Sequence, residues 1–141
     1  MIRLLEEKDL HIWSRMCADV YPDTEACEMV VEYQEGKFPN EYVYIIDEEV
    51  VAFVSLSQRN DYVEGTKGSP VGYIEGIYVK SEFRNRKIAR ELIDFAKDWS
   101  KERGCREMAS DCLLENTDSL AFQTAVGFCE VNRIICLAMK L

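Results

Sequence analysis

The sequence has a single histidine, His11, and its six cysteines (Cys17, Cys27, Cys105, Cys112, Cys129, Cys136) include no pair at CxxC spacing. The usual ligand sets of a zinc site are therefore missing, and no metal is expected. Ser55, Ser57 and Ser110 have no histidine near them in the chain, so a serine triad is unsupported. The longest unbroken apolar run, Ile134 to Met139, is six residues, far below the ~20 that a membrane-spanning helix requires. Glu6 and Glu7 arrive before a signal-peptide core is complete. The expected location is thus the cytoplasm, where thiols stay reduced and pack as small hydrophobes. Cations are also in short supply, with 17 Lys and Arg against 26 Asp and Glu for a net charge of −9. A phosphate backbone is bound through clustered Lys and Arg, so no nucleic-acid partner is expected. No repeat, low-complexity segment or linker divides the chain. Residues 1–141 read as one domain that folds without metal or disulfide.

The charge is unevenly spread. Residues 80–106 hold nine basic and five acidic side chains, net +4, leaving eight basic and 21 acidic elsewhere, net −13. Four of those cations fall in Arg84-Asn85-Arg86-Lys87-Ile88-Ala89-Arg90, where a helix is expected to begin and a small anion would be welcome. The acidic remainder favours a cationic partner.

Residues 1–5 read as a strand, and Leu10, Trp13, Cys17 and Val20 share one helix face. Pro22 ends that helix. Asp23 or Thr24 caps a second one, with Ala26, Met29, Val30 and Tyr33 inward. Tyr42 to Ile46 and Val50 to Leu56 form an antiparallel hairpin around Asp47-Glu48-Glu49, a turn whose type is not legible without Gly or Asn. A long polar loop separates Gln58 from Val71; loops of this length are often functional. Then come a strand at Tyr73 to Val79, a helix from about Arg86 to Arg103 stopped by Gly104, and a parallel strand at Met108 to Cys112. Asn116 or Thr117 opens a last helix ending at Gly127, and Phe128 to Leu141 supplies one or two final strands.

This α/β order, β-α-α-β-β-β-α-β-α-β(-β) with a cationic turn after the central strand, resembles the GNAT family of acyl-CoA-dependent N-acetyltransferases, in which helices flank a mixed sheet. The family's Arg/Gln-x-x-Gly-x-Gly/Ala signature stands here as Arg84-Asn85-Arg86-Lys87-Ile88-Ala89. The resemblance implies that these residues enclose the pyrophosphate of acetyl-CoA with backbone N–H groups and a helix N-terminus. Lys87 departs from the pattern, which has Gly there. A negative φ would leave the loop intact, and a positive φ would strain it. Asn116-Thr117-Asp118-Ser119, leading through Phe122 to Gly127-Phe128, is similar to the family's closing motif and implies that Asn116 and Ser119 approach the cofactor. Many members have a Tyr where Phe122 stands, credited with protonating the departing thiolate. Here another group or water supplies that proton, or the thiolate leaves as such. The resemblance also implies that backbone N–H groups around Ile77, Tyr78 and Val79, unpaired because the central strands splay, stabilise the oxyanion.

A narrower resemblance covers residues 59 to about 135. Asp61-Tyr62-Val63-x-Gly65, Ser69-Pro70-Val71, Glu75-Gly76-Ile77, Gly104-Cys105-Arg106-Glu107-Met108-Ala109-Ser110-Asp111 and Glu115-Asn116-Thr117 look like aminoglycoside 6′-N-acetyltransferases. A polycationic acceptor suits the acidic surplus. Glu75, on the strand leading to the Arg84 loop, and Asp111, ending the neighbouring strand, can both face the cleft at the carboxyl ends of the strands. An ammonium must lose a proton before it attacks a thioester. The resemblance gives Glu75 that proton, through water, and gives Asp111 the amino sugar; the reverse assignment stays open. Tyr21, Asp61, Tyr62 and Glu64 are expected around the sugar, and His11 at the surface or in helix packing. The rivals are the same fold acting on a polyamine or a protein N-terminus, and a non-catalytic acyl-CoA-binding domain. The apolar Ile134 to Met139 strand and the habit of the subfamily imply a homodimer.

Overall fold

Between Glu41 and Arg59 the chain is dominated by β-branched and aromatic residues, and it forms the two strands against which the other elements pack. The computed structural model describes all 141 residues. In chain order these are β1 (Ile2–Leu4), α1 (Leu10–Val20), α2 (Ala26–Gln34), β2 (Glu41–Ile46), β3 (Glu49–Arg59), β4 (Val71–Val79), α3 (Ile88–Glu102), β5 (Met108–Ser110) and α4 (Thr117–Ala125). The five strands make one sheet in the order β1-β2-β3-β4-β5. The first three pairings are antiparallel and β4·β5 is parallel, as a helical crossover requires. Asp47 and Glu48, joining β2 to β3, both have positive φ (48° and 67°). That is the type I′ geometry that matches strand twist, built here from two acids, which is why the sequence did not disclose it.

Alternate residues of β3 feed two cores. Phe53, with Val43, packs against Trp13, Met16 and Cys17 of α1 and Met29 of α2. Val54, Leu56 and Ile74 pack against Ile88, Leu92, Ile93, Ala96 and Trp99 of α3. Helices therefore cover both faces of the sheet. A third, small cluster of Val63, Val71 and Tyr73 pins the long loop between β3 and β4. Its far side is held by Glu107, whose carboxylate accepts the N–H groups of Lys67 (2.8 Å) and Gly68 (3.0 Å). No helix is long and apolar enough to cross a membrane.

Several expectations are corrected. α3 begins at Ile88 rather than Arg86, because Lys87 has φ 66° and lies outside helical space. β5 stops at Ser110, leaving Asp111 just beyond it. The final strands expected within Phe128 to Leu141 are not formed, and residues 128–141 run without regular secondary structure. A strand needs a neighbour whose backbone completes its ladder, and this segment pairs with no strand of its own chain. The six thiols are free, but only Cys17 and Cys105 are buried, so packing as small hydrophobes describes two of them.

Candidate active site

Glu75 owes its direction to an irregularity in the sheet. Ser55 opposes Gly76 and Leu56 opposes Ile74, so Glu75 is the extra residue of a bulge in β4, a device that turns a side chain out of the regular alternation. Its carboxylate lines a cleft of about 520 Å³ with Tyr21, Glu32, Glu41, Ser55 and Ser57. Of the cleft's 13 lining residues three are acids and one, Lys37, is a base. Ser57 Oγ donates to Glu75 at 2.6 Å, and Arg59 Nη2 donates to both of its oxygens at 2.8 and 2.9 Å. Tyr21 reaches the cleft from just beyond α1. Its hydroxyl lies 2.0 Å from where a Cβ on Gly76 would sit, so only glycine admits it.

Glu41, at the head of β2, was not among the expected site residues. It is 2% exposed and accepts a 2.9 Å hydrogen bond from Trp13 Nε1. Burial pushes its carboxyl up to about 7, held back by the Ser55 hydroxyl and the Trp13 N–H. Arg59 and Tyr73 were missed too, since a cation at a strand end and a strand tyrosine have no distinctive signature.

Asp111 lies on the other side of β4. Its carboxylate accepts a 2.5 Å hydrogen bond from the Tyr73 hydroxyl. Burial and that bond push the hydroxyl above its ordinary value, so it remains a donor. The Arg59 guanidinium rests 3.5 Å from the centre of the Tyr73 ring. Thus Glu75 and Asp111 are linked through Arg59 and Tyr73. Asp61 and Tyr62 stay out on the exposed loop, with the Tyr62 hydroxyl donating to Glu64 at 3.3 Å. His11 is exposed.

Beyond Ile74, β4 has no partner on the β5 side, because the parallel pairing ends at Ile74 and Ser110. Ile77, Tyr78 and Val79 lie in that stretch. Tyr78 stacks on Phe53 and donates to Asp19 at 3.1 Å, while Arg84 Nε donates to Val79 O at 3.0 Å. In the following loop Asn85 and Lys87 have φ 63° and 66°. The backbone N–H groups of Asn85 through Ala89 meet no backbone acceptor, and no side chain caps α3. Free backbone donors gathered in this way at a helix N-terminus make a concavity of the kind that accepts anions. Asn116 caps α4, its Oδ1 accepting from Ser119 N at 3.1 Å. Phe122 packs against the α3 core.

Residues 8–128 match the acetyltransferase (GNAT) family. The chain belongs to the GNAT acetyltransferases. It is an acetyl-CoA-dependent acetyltransferase, and the non-catalytic reading falls away. Among relatives of this GNAT protein, an aminoglycoside N(6′)-acetyltransferase type 1 from Stenotrophomonas maltophilia is 31% identical over 99% of this chain and 93% of its own. The solved structure of AAC(6′)-Iy with the bisubstrate analogue CoA-S-monomethyl-acetylneamine has a TM-score of 0.89 at 32% identity, covering 100% of this chain and 98% of that one. Ligand-free AAC(6′)-IG from Acinetobacter haemolyticus has a TM-score of 0.90 at 31% identity, covering 100% and 99%.

Lys87 resolves in one direction, since its positive φ is a conformation that costs an L-residue about 1–2 kcal/mol. Lys87→Gly is expected to raise stability by about 1 kcal/mol in urea denaturation. Unchanged stability would show that the loop holds Lys87 without strain. Coenzyme A affinity of the same variant, read by calorimetry, is expected to rise as well; a fall would mean that the ammonium has become part of the anion site.

Proposed function

We propose that this enzyme transfers acetyl from acetyl-CoA to the 6′-amino group of an aminoglycoside by direct attack on the thioester, in the cytoplasm, and so confers aminoglycoside resistance. The observation that carries this reading is the cleft itself. Glu32, Glu41 and Glu75 line it against a single cation, Lys37, an acidic balance suited to a polycation that brings several ammonium groups to one place. The similarity to aminoglycoside 6′-N-acetyltransferases along nearly the whole chain supports it.

In this reading Arg84 to Ala89 hold the pyrophosphate, with Asn116 and Ser119 alongside the cofactor. Ile77 to Val79 offer their free strand edge to the thioester oxygen, whose developing charge backbone donors stabilise. Glu75 takes the proton of the acceptor ammonium through water, and Asp111, fixed by Tyr73, holds the sugar with Tyr21. Asp61 and Tyr62 reach the sugar by movement of the loop. Phe122 leaves the thiolate to depart as such or to take its proton from water.

Thiol release from acetyl-CoA, followed with neamine, spermidine and an N-terminal peptide, tests the acceptor. Neamine should be acetylated, with a KM that rises with salt as screening weakens the ion pairs. Release with spermidine or the peptide alone would transfer the reading to those amines. We further propose a homodimer. Ile135 and Leu137 are 88% and 90% exposed on a tail of strand-forming sequence, and β5 offers the sheet an edge of only three residues. A second copy would bury the tail by adding it to a sheet. Sedimentation should return twice 16.3 kDa, and a single-copy mass would dismiss the dimer.

A further inference from the structure

Arg59 is the last residue of β3, at the point where the strand gives way to the long loop, and it pairs in register with Val71. Its guanidinium makes three hydrogen bonds to Glu75, from Nε at 3.2 Å and from Nη2 at 2.8 and 2.9 Å. The same group lies on the Tyr73 ring at 3.5 Å, and the Tyr73 hydroxyl is bonded to Asp111. A single cation therefore sits between the two carboxylates that the acceptor amine must use. It is no buried structural pair, because both side chains remain near 40% exposed (41% and 37%). Exposed pairs of this kind are weak and readily exchanged.

We propose that Arg59 is an internal stand-in for the acceptor's ammonium. In the enzyme without acceptor it neutralises Glu75 and covers the ring beside Asp111. An entering ammonium displaces it toward the loop, where the flexible arginine stem and the neighbouring Asn60 and Asp61 leave it in solvent. Arg59 then acts as a selectivity element. An acceptor binds well only when its own charge and hydrogen bonds outcompete a tethered guanidinium, which disfavours neutral amines and weakly charged ones. The inference rests on the cationic-acceptor reading and adds a residue to it. An arginine that served only to hold Glu75 in place would have the opposite kinetic signature, because its removal would lower turnover and gain nothing in affinity.

The experiment is steady-state kinetics of wild type, Arg59→Gln and Arg59→Lys at low salt, with acetyl-CoA saturating and neamine varied. Arg59→Gln keeps a polar side chain but removes the charge. Its KM for neamine should fall about 5-fold, the weight of an exposed ion pair, with kcat within about 3-fold of wild type, a change too small to signal a lost catalytic contact. Arg59→Lys should restore the wild-type KM. An unchanged or raised KM in Arg59→Gln, or a collapse of kcat, overturns the stand-in. Should wild type release thiol with spermidine and not with neamine, the aminoglycoside reading fails while the Arg59 inference is decided by the same comparison on spermidine. Failure of both cations as acceptors removes both readings.

Discussion

Replacing Glu75 by Gln should lower acetyl transfer by roughly 10²–10⁴-fold, the span usually lost with a general base, while coenzyme A affinity stays near wild type. The substitution keeps the size of the side chain and an oxygen for the Ser57 hydroxyl, so the bulge in β4 that aims it is preserved. What disappears is the basic carboxylate. Asp111→Asn should act differently, raising the KM of the acceptor more than it lowers turnover, because a group that holds an ammonium contributes equally to ground and transition states. The Tyr73 hydroxyl can still donate to the amide oxygen of that variant, so the site keeps its shape. Near-normal turnover in Glu75→Gln with loss in Asp111→Asn would exchange the two roles. Indifference of both would mean that solvent takes the proton and that the enzyme works by holding amine and thioester together, a contribution that can reach ~7–11 kcal/mol.

The parts of this site that were legible beforehand are those built from local signals. A cationic turn opening α3, an acid on β4 and an acid at the end of β5 each follow from spacing along one element and from a family motif quoted residue by residue. The turn between β2 and β3 was not legible, because Asp47 and Glu48 adopt positive φ without the Gly or Asn that normally announces it. The bulge at Glu75 depends on how β3 is registered against β4, a relation between distant segments. Glu41 reads as one more surface acid among many until Trp13, 28 positions away, is seen donating to it. The C-terminal segment was misread for a related reason. Its composition is that of a strand, but strands are completed by partners, and none within the chain is beside it.

Glu41 should make the stability of this protein fall as pH rises from about 5 to 8. Its carboxyl lies at about 7 in the folded chain, against an ordinary value of 4.5, because burial disfavours the charged form. Below about 4.5 both states keep the proton and Glu41 has no effect on the pH dependence. Between there and about 7 the unfolded chain releases the proton while the folded one retains it, so unfolding gains ground with every step upward. Above that window the full cost is in place, roughly 3 kcal/mol at ~1.4 kcal/mol per unit. Cys17 and Tyr21 both feel this carboxylate, and Tyr21 feels Glu75 as well, while the Ser55 hydroxyl and the Trp13 N–H favour its charged form without overcoming the effect of burial. Urea denaturation at pH 5 and pH 8 should show wild type losing about 2–3 kcal/mol relative to Glu41→Gln, which keeps an acceptor for the Trp13 N–H but cannot ionise. Parallel stabilities at the two pH values would show that Glu41 is not held neutral by its surroundings. Because Glu41 lines the cleft beside Glu75, the same charge that weakens the empty fold at pH 8 would attract an ammonium bound there as proposed. A cationic acceptor should therefore stabilise wild type more at pH 8 than at pH 5, and more than it stabilises Glu41→Gln.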